Sequence, residues 1–200
     1  MSHYFDARPG AAARRRTIRV TLRGSEVEVL TDAGVFSGER LDPGTAVLLR
    51  TVPDPPVTGT LVDLGCGWGP IALSMAQAAP DARVLAVDVN QRALELTAAN
   101  AARLGLGNIE TWAPETLLAA EPDLVITQMW SNPPIRVGKA VLHELLRTWL
   151  PRMADGALAH LVASKNLGAD SLQRWIASEL GLDVARTASS KGFRVLTVRG

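Results

Sequence analysis

The sequence lacks the residues that would build a disulfide framework or a membrane span. Cys66 is the single cysteine among 200 residues, which excludes an internal disulfide and fits a reducing compartment. No apolar run reaches membrane-spanning length, and the first residues do not resemble a signal peptide. Aromatic residues are scarce at 4%, yet 47% of the residues are hydrophobic and 20% are charged, as in ordinary soluble domains. We therefore expect a cytoplasmic globular protein without a membrane partner.

Lysine is also rare, with three lysines against eighteen arginines, and the formal net charge is only +1. The distribution of charge is more informative than the total, because residues 1–24 contain six arginines and a single aspartate. Clustered arginines can contact the phosphates of a polyanion without reading its sequence. The first residues are therefore either a nucleic-acid-binding arm or a solvated terminus, and the sequence leaves both interpretations open.

The segment before residue 59 predicts a small N-terminal addition to a larger domain. Apolar and polar residues alternate strictly over 17–22 and 26–30, which predicts a β-hairpin. Asp42 and Pro43 are typical of a helix start and predict a short helix over 45–50. We interpret residues 1–58 as an arm, a hairpin and a short helix that pack on a main domain of residues 59–200, because they are too few to form a domain alone.

From residue 60 onward, strand and helix patterns alternate. Apolar runs typical of strands lie at 60–64, 83–88, 108–112, 123–127, 157–163, 182–187 and 193–198, and helical patterns lie at 69–79, 90–104, 139–153 and 168–180, with a weaker turn near 114–119. This alternation predicts a parallel, doubly wound α/β sheet. Residues 189–192, which lie between the last two strands, are too few for a crossover. One strand of the seven-stranded sheet should therefore run antiparallel at its end.

A glycine-rich turn after the first of these strands is the first candidate binding motif. Asp63 ends the strand and glycines follow at 65, 67 and 69. Glycine permits positive φ and lets a ligand approach the backbone closely, here at a helix N-terminus. The spacing matches neither the dinucleotide motif G-x-G-x-x-G nor a P-loop with its lysine. About twenty residues later the next strand ends in Asp88, where a ribose-binding carboxylate belongs.

The second candidate motif is Ser131-Asn132-Pro133-Pro134-Ile135. The two prolines fix φ and remove two amide donors, so the loop is stiff and offers carbonyl oxygens beside one side-chain amide. Such a loop suits an exocyclic amine, because the Asn132 side-chain oxygen and a neighbouring carbonyl can accept its two N–H bonds. Alone, the motif favours a turn with a capping asparagine; its position downstream of the glycine-rich turn and Asp88 favours a catalytic role.

Together these motifs resemble class I methyltransferases that use S-adenosyl-L-methionine (AdoMet), and in particular the small-domain family that includes ribosomal RNA guanine-N2 methyltransferases. The resemblance extends over nearly all of residues 3–198 and also includes segments 34–37, 41–45 and 165–168. It implies a Rossmann-like class I methyltransferase fold, AdoMet as cofactor, and ribosomal RNA or a ribosomal subunit as partner.

The resemblance also implies roles for single residues. The catalytic residues would be Asn132, Pro133 and Pro134. The cofactor would contact Asp63, Gly65, Cys66, Gly67, Trp68, Gly69, Asp88 and Val89, with Glu115 as a candidate near the adenine and Thr45 as a further lining residue. The substrate would contact Phe36, Ile135, Arg136, Lys165 and Asn166.

The sequence departs from the family pattern at several places. Many members have an aromatic residue after the second proline to stack on the target base, whereas this chain has Ile135, so stacking would be weaker or come from elsewhere. Phe36 or Trp130 could substitute, but both fit core or wall residues equally well. Residues 127–130 suggest a longer loop before Asn132 than expected. Some relatives carry two copies of the domain and this chain has one, so RNA recognition would come from the N-terminal arm, a dimer or a preassembled particle. The sequence does not decide between monomer and homodimer.

Other functions remain open at this point. A side-chain amide also fits the motif at 132–134, which keeps a protein-glutamine methyltransferase possible, as well as a DNA adenine methyltransferase or a non-catalytic AdoMet- or RNA-binding module. His143 and His160 have no suitably spaced ligand partners, so we expect no metal site. Cys66 has no activating base near it in the sequence, so we expect no nucleophilic role.

Overall fold

The structure is a computed structural model that describes residues 15–134 and 137–200. A two-stranded antiparallel hairpin, β1 (Arg16–Leu22) and β2 (Ser25–Thr31), precedes a seven-stranded sheet. The strands of that sheet are β3 (Thr60–Leu64), β4 (Arg83–Val87), β5 (Ile109–Trp112), β6 (Ile126–Ser131), β7 (Met153–Ser164), β8 (Asp183–Ser190) and β9 (Phe193–Arg199). Their spatial order is β5-β4-β3-β6-β7-β9-β8.

The last strand is antiparallel, as the short connection before it requires. β9 pairs antiparallel with both β7 and β8, while β3 to β7 pair parallel to one another. The turn between β8 and β9 can only reverse the chain, so β9 inserts between β7 and β8 and lies second from the edge. The predicted seven-stranded sheet with one antiparallel strand is thus confirmed.

Helices cover both faces of the sheet. They are α1 (Pro43–Thr51), α2 (Pro70–Ala78), α3 (Gln91–Arg103), α4 (Pro114–Ala120), α5 (Lys139–Trp149) and α6 (Ala169–Leu180). A proline opens α1, α2 and α4, because the first helical residue needs no amide donor and proline already has helical φ. The helix predicted over 139–153 ends at Trp149, where the chain enters a 3-10 turn, Leu150–Arg152. Within residues 15–134 and 137–200 no helix is both long and apolar enough to cross a bilayer.

The hydrophobic core has two halves, one on each face of the sheet. One half joins buried side chains of the hairpin and α1, such as Leu22 and Leu48, to those of α2 and α3, such as Leu73 and Leu96. The other half lies under α4, α5 and α6 and includes Leu117, Leu146 and Ile176. Because the hairpin and α1 contribute to this core, they pack on the main domain, with α1 against β7 and β9 and β2 against α3.

The prediction for the strand at 123–127 was wrong. The strand begins at Ile126 and continues to Ser131, so residues 127–130 belong to β6 and not to a long loop. Gln128 and Thr127 suggested a loop because they are polar, but Gln128 is buried and Thr127 donates a hydrogen bond to the carbonyl of Thr60. Trp130 is fully buried within β6, so its ring cannot stack on a substrate base as suggested. Asn132 therefore follows the end of β6 directly.

Candidate active site

One pocket brings the two predicted motifs together. It has a volume of about 400 Å³ and opens at the edge of the sheet where the parallel strands end. Its walls include Gly65 and Gly67 after β3, Asp88 after β4, and Asn132 with Pro133 after β6. Its size lies in the range of small-molecule and cofactor sites. The position at the carboxyl ends of the strands follows the rule for ligand sites in open α/β sheets.

The three glycines of the turn after β3 serve two purposes. Gly65 and Gly67 have φ of +83° and +58°, and a Cβ atom at either would meet no protein atom within 4 Å. Their backbone therefore faces open space, and any side chain there would project into the space that a ligand would use. Gly69 has φ of +97°, and its Cβ would lie 3.0 Å from Thr97. Gly69 therefore allows α2 to pack closely on α3 and does not line the pocket.

Asp88 holds the glycine-rich turn in place. Its Oδ2 accepts a hydrogen bond of 2.9 Å from the backbone N–H of Gly67, and its Oδ1 accepts one of 2.9 Å from Asn90 N–H. Burial raises the pKa of Asp88, and the backbone N–H donors oppose that rise by favouring the charged form. Each carboxylate oxygen has a second lone pair, so Asp88 can still accept hydrogen bonds from hydroxyl groups of a ligand in the pocket.

Asp63 lies behind the turn and not in the pocket wall. It is fully buried, and its Oδ2 accepts a 2.9 Å hydrogen bond from Ala72 N–H in the first turn of α2. Burial, with a smaller contribution from the negative charge of Asp88, raises the pKa of Asp63 to about 8. The other oxygen, Oδ1, has no hydrogen-bond partner in the part of the chain that the structure describes. Asp63 thus stabilises the first turn of α2 through this hydrogen bond.

The segment between the hairpin and α1 forms part of the pocket wall through Val35, Phe36 and Asp42. Asn90 Nδ2 donates to the carbonyl of Gly34 at 3.1 Å, and Arg92 donates to the carbonyl of Ala33 at 2.7 Å. These bonds tie the segment to the N-terminus of α3. Phe36, which the sequence predicted as a substrate contact, lines the pocket and is 40% exposed.

Asn132 is fixed by side chains from the N-terminal part of the chain. Its Nδ2 donates to Asp42 Oδ1 at 2.8 Å and to Thr45 Oγ1 at 3.0 Å. The residue before it, Ser131, donates its hydroxyl hydrogen to the carbonyl of Leu64 at 2.6 Å, which connects the ends of β6 and β3. Pro134 lines the pocket together with Asn132 and Pro133. This loop and the glycine-rich turn thus line the same pocket.

The remaining predicted cofactor residues lie at different distances from the pocket. Val89 lines it and is 47% exposed. Cys66 and Trp68 are buried and line a small adjoining cavity of about 20 Å³. Burial raises the pKa of the Cys66 thiol, which opposes a thiolate role. Glu115 is exposed and outside the wall, although Pro114 beside it belongs to the wall.

The predicted substrate residues are only partly within the described chain. Lys165 and Asn166 are exposed and are flanked by Ser164 and Leu167, both of which line the pocket. Ile135 and Arg136 lie outside the described residues, as do residues 1–14 with most of the predicted basic arm. Among the described residues, no group of three or more His, Cys, Asp or Glu side chains is arranged to hold a metal ion.

Several lining residues were not foreseen from the sequence. Leu145 on α5, Leu167 after β7 and Phe193 at the start of β9 add apolar walls, and Asn90 and Asp42 add polar ones. Asp42 and Asn90 precede helices and were recognisable only as N-caps, a role that both also fill. Whether Asp42 and Asn90 also line the pocket depends on how the chain around them packs, and no local sequence pattern indicates that packing.

The pocket has both polar and apolar lining residues. The carboxylate of Asp88 and the backbone of Gly65 and Gly67 lie on the side of β3 and β4, and Asn132 with the two prolines lies on the side of β6. Such a pocket can hold a ligand with hydroxyl groups and an apolar ring next to a second molecule that donates N–H bonds.

Comparisons with known proteins agree on a family. The family model described as methyltransferase small domain matches residues 26–197. Over 198 residues the chain is 31% identical to ribosomal RNA small subunit methyltransferase C of Ectopseudomonas mendocina, which covers 96% of this chain and 57% of that protein. It is 29% identical to the uncharacterized protein YbxB of Bacillus subtilis over 197 residues, with 98% of each chain covered.

A solved structure has the same fold. The 16S rRNA N2 methyltransferase of T. thermophilus, in complex with AdoMet and guanosine, matches with a TM-score of 0.77 and 21% identity. The match covers 96% of this chain and 52% of that one. The chain thus spans about half the length of the named ribosomal RNA methyltransferases that it resembles, and nearly the whole length of YbxB.

The pKa of Asp63 predicts a pH-dependent gain in stability for the substitution Asp63→Asn. In the native protein Asp63 keeps its proton up to about pH 8, while in the unfolded chain it loses it near pH 4. Native stability should therefore fall as the pH rises through this window, because the native state binds more protons than the unfolded state. The amide oxygen introduced by the substitution would still accept the Ala72 bond without that cost. Thermal unfolding at pH 5 and pH 8 should show a larger gain for the variant at pH 8; an equal gain at both, or the same pattern for the exposed control Asp123→Asn, would contradict the assignment.

Proposed function

The chain belongs to the methyltransferase small domain family, and on that premise we propose that it transfers a methyl group from AdoMet to the exocyclic amine of a nucleic-acid base, specifically guanine N2 of ribosomal RNA. The observation that carries the proposal is the meeting of the glycine-rich turn, Asp88 and Asn132-Pro133-Pro134 in one pocket. The named relatives support RNA over the other acceptors considered, because several of them are ribosomal RNA methyltransferases.

The residues on the β3 and β4 side fit AdoMet. Asp88 has lone pairs left for the ribose hydroxyls, and Gly65 and Gly67 leave room for the cofactor to lie against the backbone. Val89, Ala93 and Pro114 offer an apolar slot suited to the adenine ring. When bound there, AdoMet supplies an activated methyl group on a positively charged sulfur.

The residues on the β6 side fit an amine that needs alignment and not deprotonation. Asn132 Oδ1 and the Pro133 carbonyl can accept the two N–H bonds of an exocyclic amine, which leaves the nitrogen lone pair free to point into the pocket. The nitrogen can lose a proton to solvent after its new bond has formed, so no ionising base is required. Alignment of two bound reactants can contribute roughly 7–11 kcal/mol in favourable cases. Asn132 therefore orients the acceptor, and the apolar residues around it exclude water.

The lysines of the chain lie where a polyanionic acceptor would approach. Lys139 opens α5, Lys165 opens the 3-10 turn after β7, and Lys191 lies in the turn between β8 and β9. The backbone N–H of Lys165 donates to the carbonyl of Gly192 at 2.9 Å, so the 3-10 turn after β7 contacts the turn between β8 and β9. All three lysines are exposed, and none takes part in an ion pair with another described residue. In a chain with only three lysines, their placement on the Asn132 side of the pocket favours contact with RNA phosphates.

Replacement of Asp88 should weaken the binding of AdoMet. Asp88→Ala removes the acceptor proposed for the ribose and the anchor of the glycine-rich turn, so we expect at least about a tenfold loss of affinity, the cost of one charge-assisted hydrogen bond. Isothermal titration calorimetry with AdoMet measures this affinity. The matched control is Asp81→Ala, an exposed aspartate at the opposite edge of the sheet, which should bind as the unmodified protein does. Unchanged affinity for Asp88→Ala would overturn the ribose assignment.

Replacement of Asn132 should abolish methyl transfer and leave AdoMet binding intact. The assay supplies labelled AdoMet and ribosomal particles lacking the endogenous modification, and then maps the labelled nucleotide. The unmodified protein should label guanine N2 in RNA, and Asn132→Ala should give no label at an unchanged AdoMet affinity. Label in protein would instead favour a glutamine acceptor, and full activity of the variant would remove Asn132 from the mechanism.

The triple variant Lys139→Ala, Lys165→Ala, Lys191→Ala should bind RNA less strongly and with a weaker salt dependence. Each lost phosphate contact lowers the slope of log K against log salt by about 0.7, so three contacts predict a change of about 2. Fluorescence anisotropy with an RNA fragment at several salt concentrations measures the slope. A control with the same change in net charge replaces Arg103, Arg174 and Arg199, which are exposed and away from the pocket. Equal slopes for the two variants would mean that only total charge matters.

A further inference from the structure

We propose that Asp42 and Thr45 are positioning residues that set which end of the Asn132 side-chain amide faces the acceptor. This inference depends on the proposed function, since it concerns how Asn132 receives an amine. It gives the Leu41-Asp42-Pro43-Gly44-Thr45 segment a role beyond starting α1. The assignment follows from the hydrogen bonds of one amide group and from the packing that fixes their acceptors.

An asparagine amide has two ends of similar shape and opposite character. Rotation by half a turn exchanges the oxygen, which accepts, with the NH₂ group, which donates. Only the orientation with the oxygen toward the pocket can accept an N–H bond from an amine, because the opposite orientation sets donor against donor. A mobile amide would therefore spend part of its time in a form that repels the substrate.

Asp42 and Thr45 remove that ambiguity. Both hydrogens of Asn132 Nδ2 are used, one by Asp42 Oδ1 at 2.8 Å and one by Thr45 Oγ1 at 3.0 Å. An ionised carboxylate has no hydrogen to donate, so the reversed amide would place its oxygen against the Asp42 oxygen and leave both without a partner. The NH₂ group is thus held on the α1 side, and Oδ1 remains for the acceptor.

Asp42 is itself held rigidly. The same Oδ1 accepts a 2.9 Å hydrogen bond from Thr45 N–H as the N-cap of α1. A Cβ atom on Gly44 would lie 2.9 Å from Asp42 Oδ1 and 3.0 Å from the ring of Phe193. Glycine is therefore the residue that lets the helix start, the carboxylate and β9 pack this closely. The helix cap and the amide clamp share one oxygen atom.

The carboxylate also favours the chemistry electrostatically. A negative acceptor at Nδ2 polarises the amide and increases the negative charge on its oxygen, as in other chains of hydrogen bonds. That oxygen would accept a hydrogen bond from a nitrogen that becomes positive as its new bond forms. Asp42 would therefore both orient Asn132 and strengthen it as an acceptor, without touching the reacting atoms.

Three variants separate these effects from simple helix capping. Thr45→Val removes one acceptor of the amide but keeps the backbone N–H that Asp42 caps, and we expect kcat to fall by about two- to tenfold. Asp42→Ala removes the other acceptor and should lower kcat by about ten- to a hundredfold. Asp42→Asn retains an oxygen that can cap the helix and accept from Asn132, so it should recover most of the loss. Thr51→Val, on the same helix but exposed and bonded only within α1, is the matched control and should behave as the unmodified protein.

The readouts distinguish failure of this inference from failure of the proposed function. All kcat values are measured at saturating AdoMet, so that a change of AdoMet affinity in Thr45→Val does not enter them, and NMR should show that the Asn132 side-chain NH₂ signals lose their protection from solvent exchange in Asp42→Ala. One set of results would refute the clamp and leave the proposed function standing. In it the unmodified protein methylates RNA, Asn132→Ala is inactive, and the single variants Asp42→Ala and Thr45→Val both keep full kcat. If the unmodified protein transfers no methyl group to any amine acceptor, the proposed function fails, and protected NH₂ signals that vanish in Asp42→Ala would still establish the clamp. Equal loss of kcat in Asp42→Ala and Asp42→Asn would refute the rescue on which the positioning role depends.

Discussion

The carboxylate of Asp88 is the interaction on which the cofactor side of the pocket depends. One of its oxygens holds the backbone of Gly67, and the other holds the backbone of Asn90 at the start of α3. The glycine-rich turn has little conformational preference of its own, because its glycines adopt positive φ as easily as negative. A half-buried carboxylate that accepts a hydrogen bond from the turn therefore fixes the conformation of the turn, which its glycines cannot do alone. It fixes the shape of the pocket before any ligand arrives.

The same anchor extends to the N-terminal segment. Asn90 and Arg92 reach from α3 to the carbonyls of Gly34 and Ala33, and further along the same segment Asp42 binds Asn132 on the opposite side of the pocket. The segment thus spans the pocket and is tied at both ends. The hairpin and α1, whose side chains belong to the core beneath it, hold it against the sheet. What the sequence suggested as an addition to the main domain is a wall of its site.

The sheet could be predicted from the sequence because local patterns carry it. Alternating apolar segments, N-cap residues and the short connection before β9 predicted the type of each element, its order along the chain and the single antiparallel strand. The end of β6 could not be read, since Gln128 looks like a loop residue unless its burial between two neighbouring strands is known. The meeting of the two motifs followed from the rule that parallel strands end at one edge. The bond between Asp42 and Asn132 did not, because it joins positions 90 residues apart through packing that no local pattern encodes.

The pair Asp63 and Asp88 explains how such a pocket could favour a positively charged ligand without leaving strong negative charge in the free protein. Burial, and to a smaller extent the charge of Asp88, keeps Asp63 protonated up to about pH 8. The free protein therefore does not have to hold a fully buried charge at Asp63 next to the half-buried charge of Asp88, which would be costly. A cation bound nearby would stabilise the ionised form of Asp63 and lower its pKa, so binding would release a proton, and by linkage a higher pH would strengthen binding. The cost of burying a carboxylate would then be offset only when the ligand that needs its charge is present.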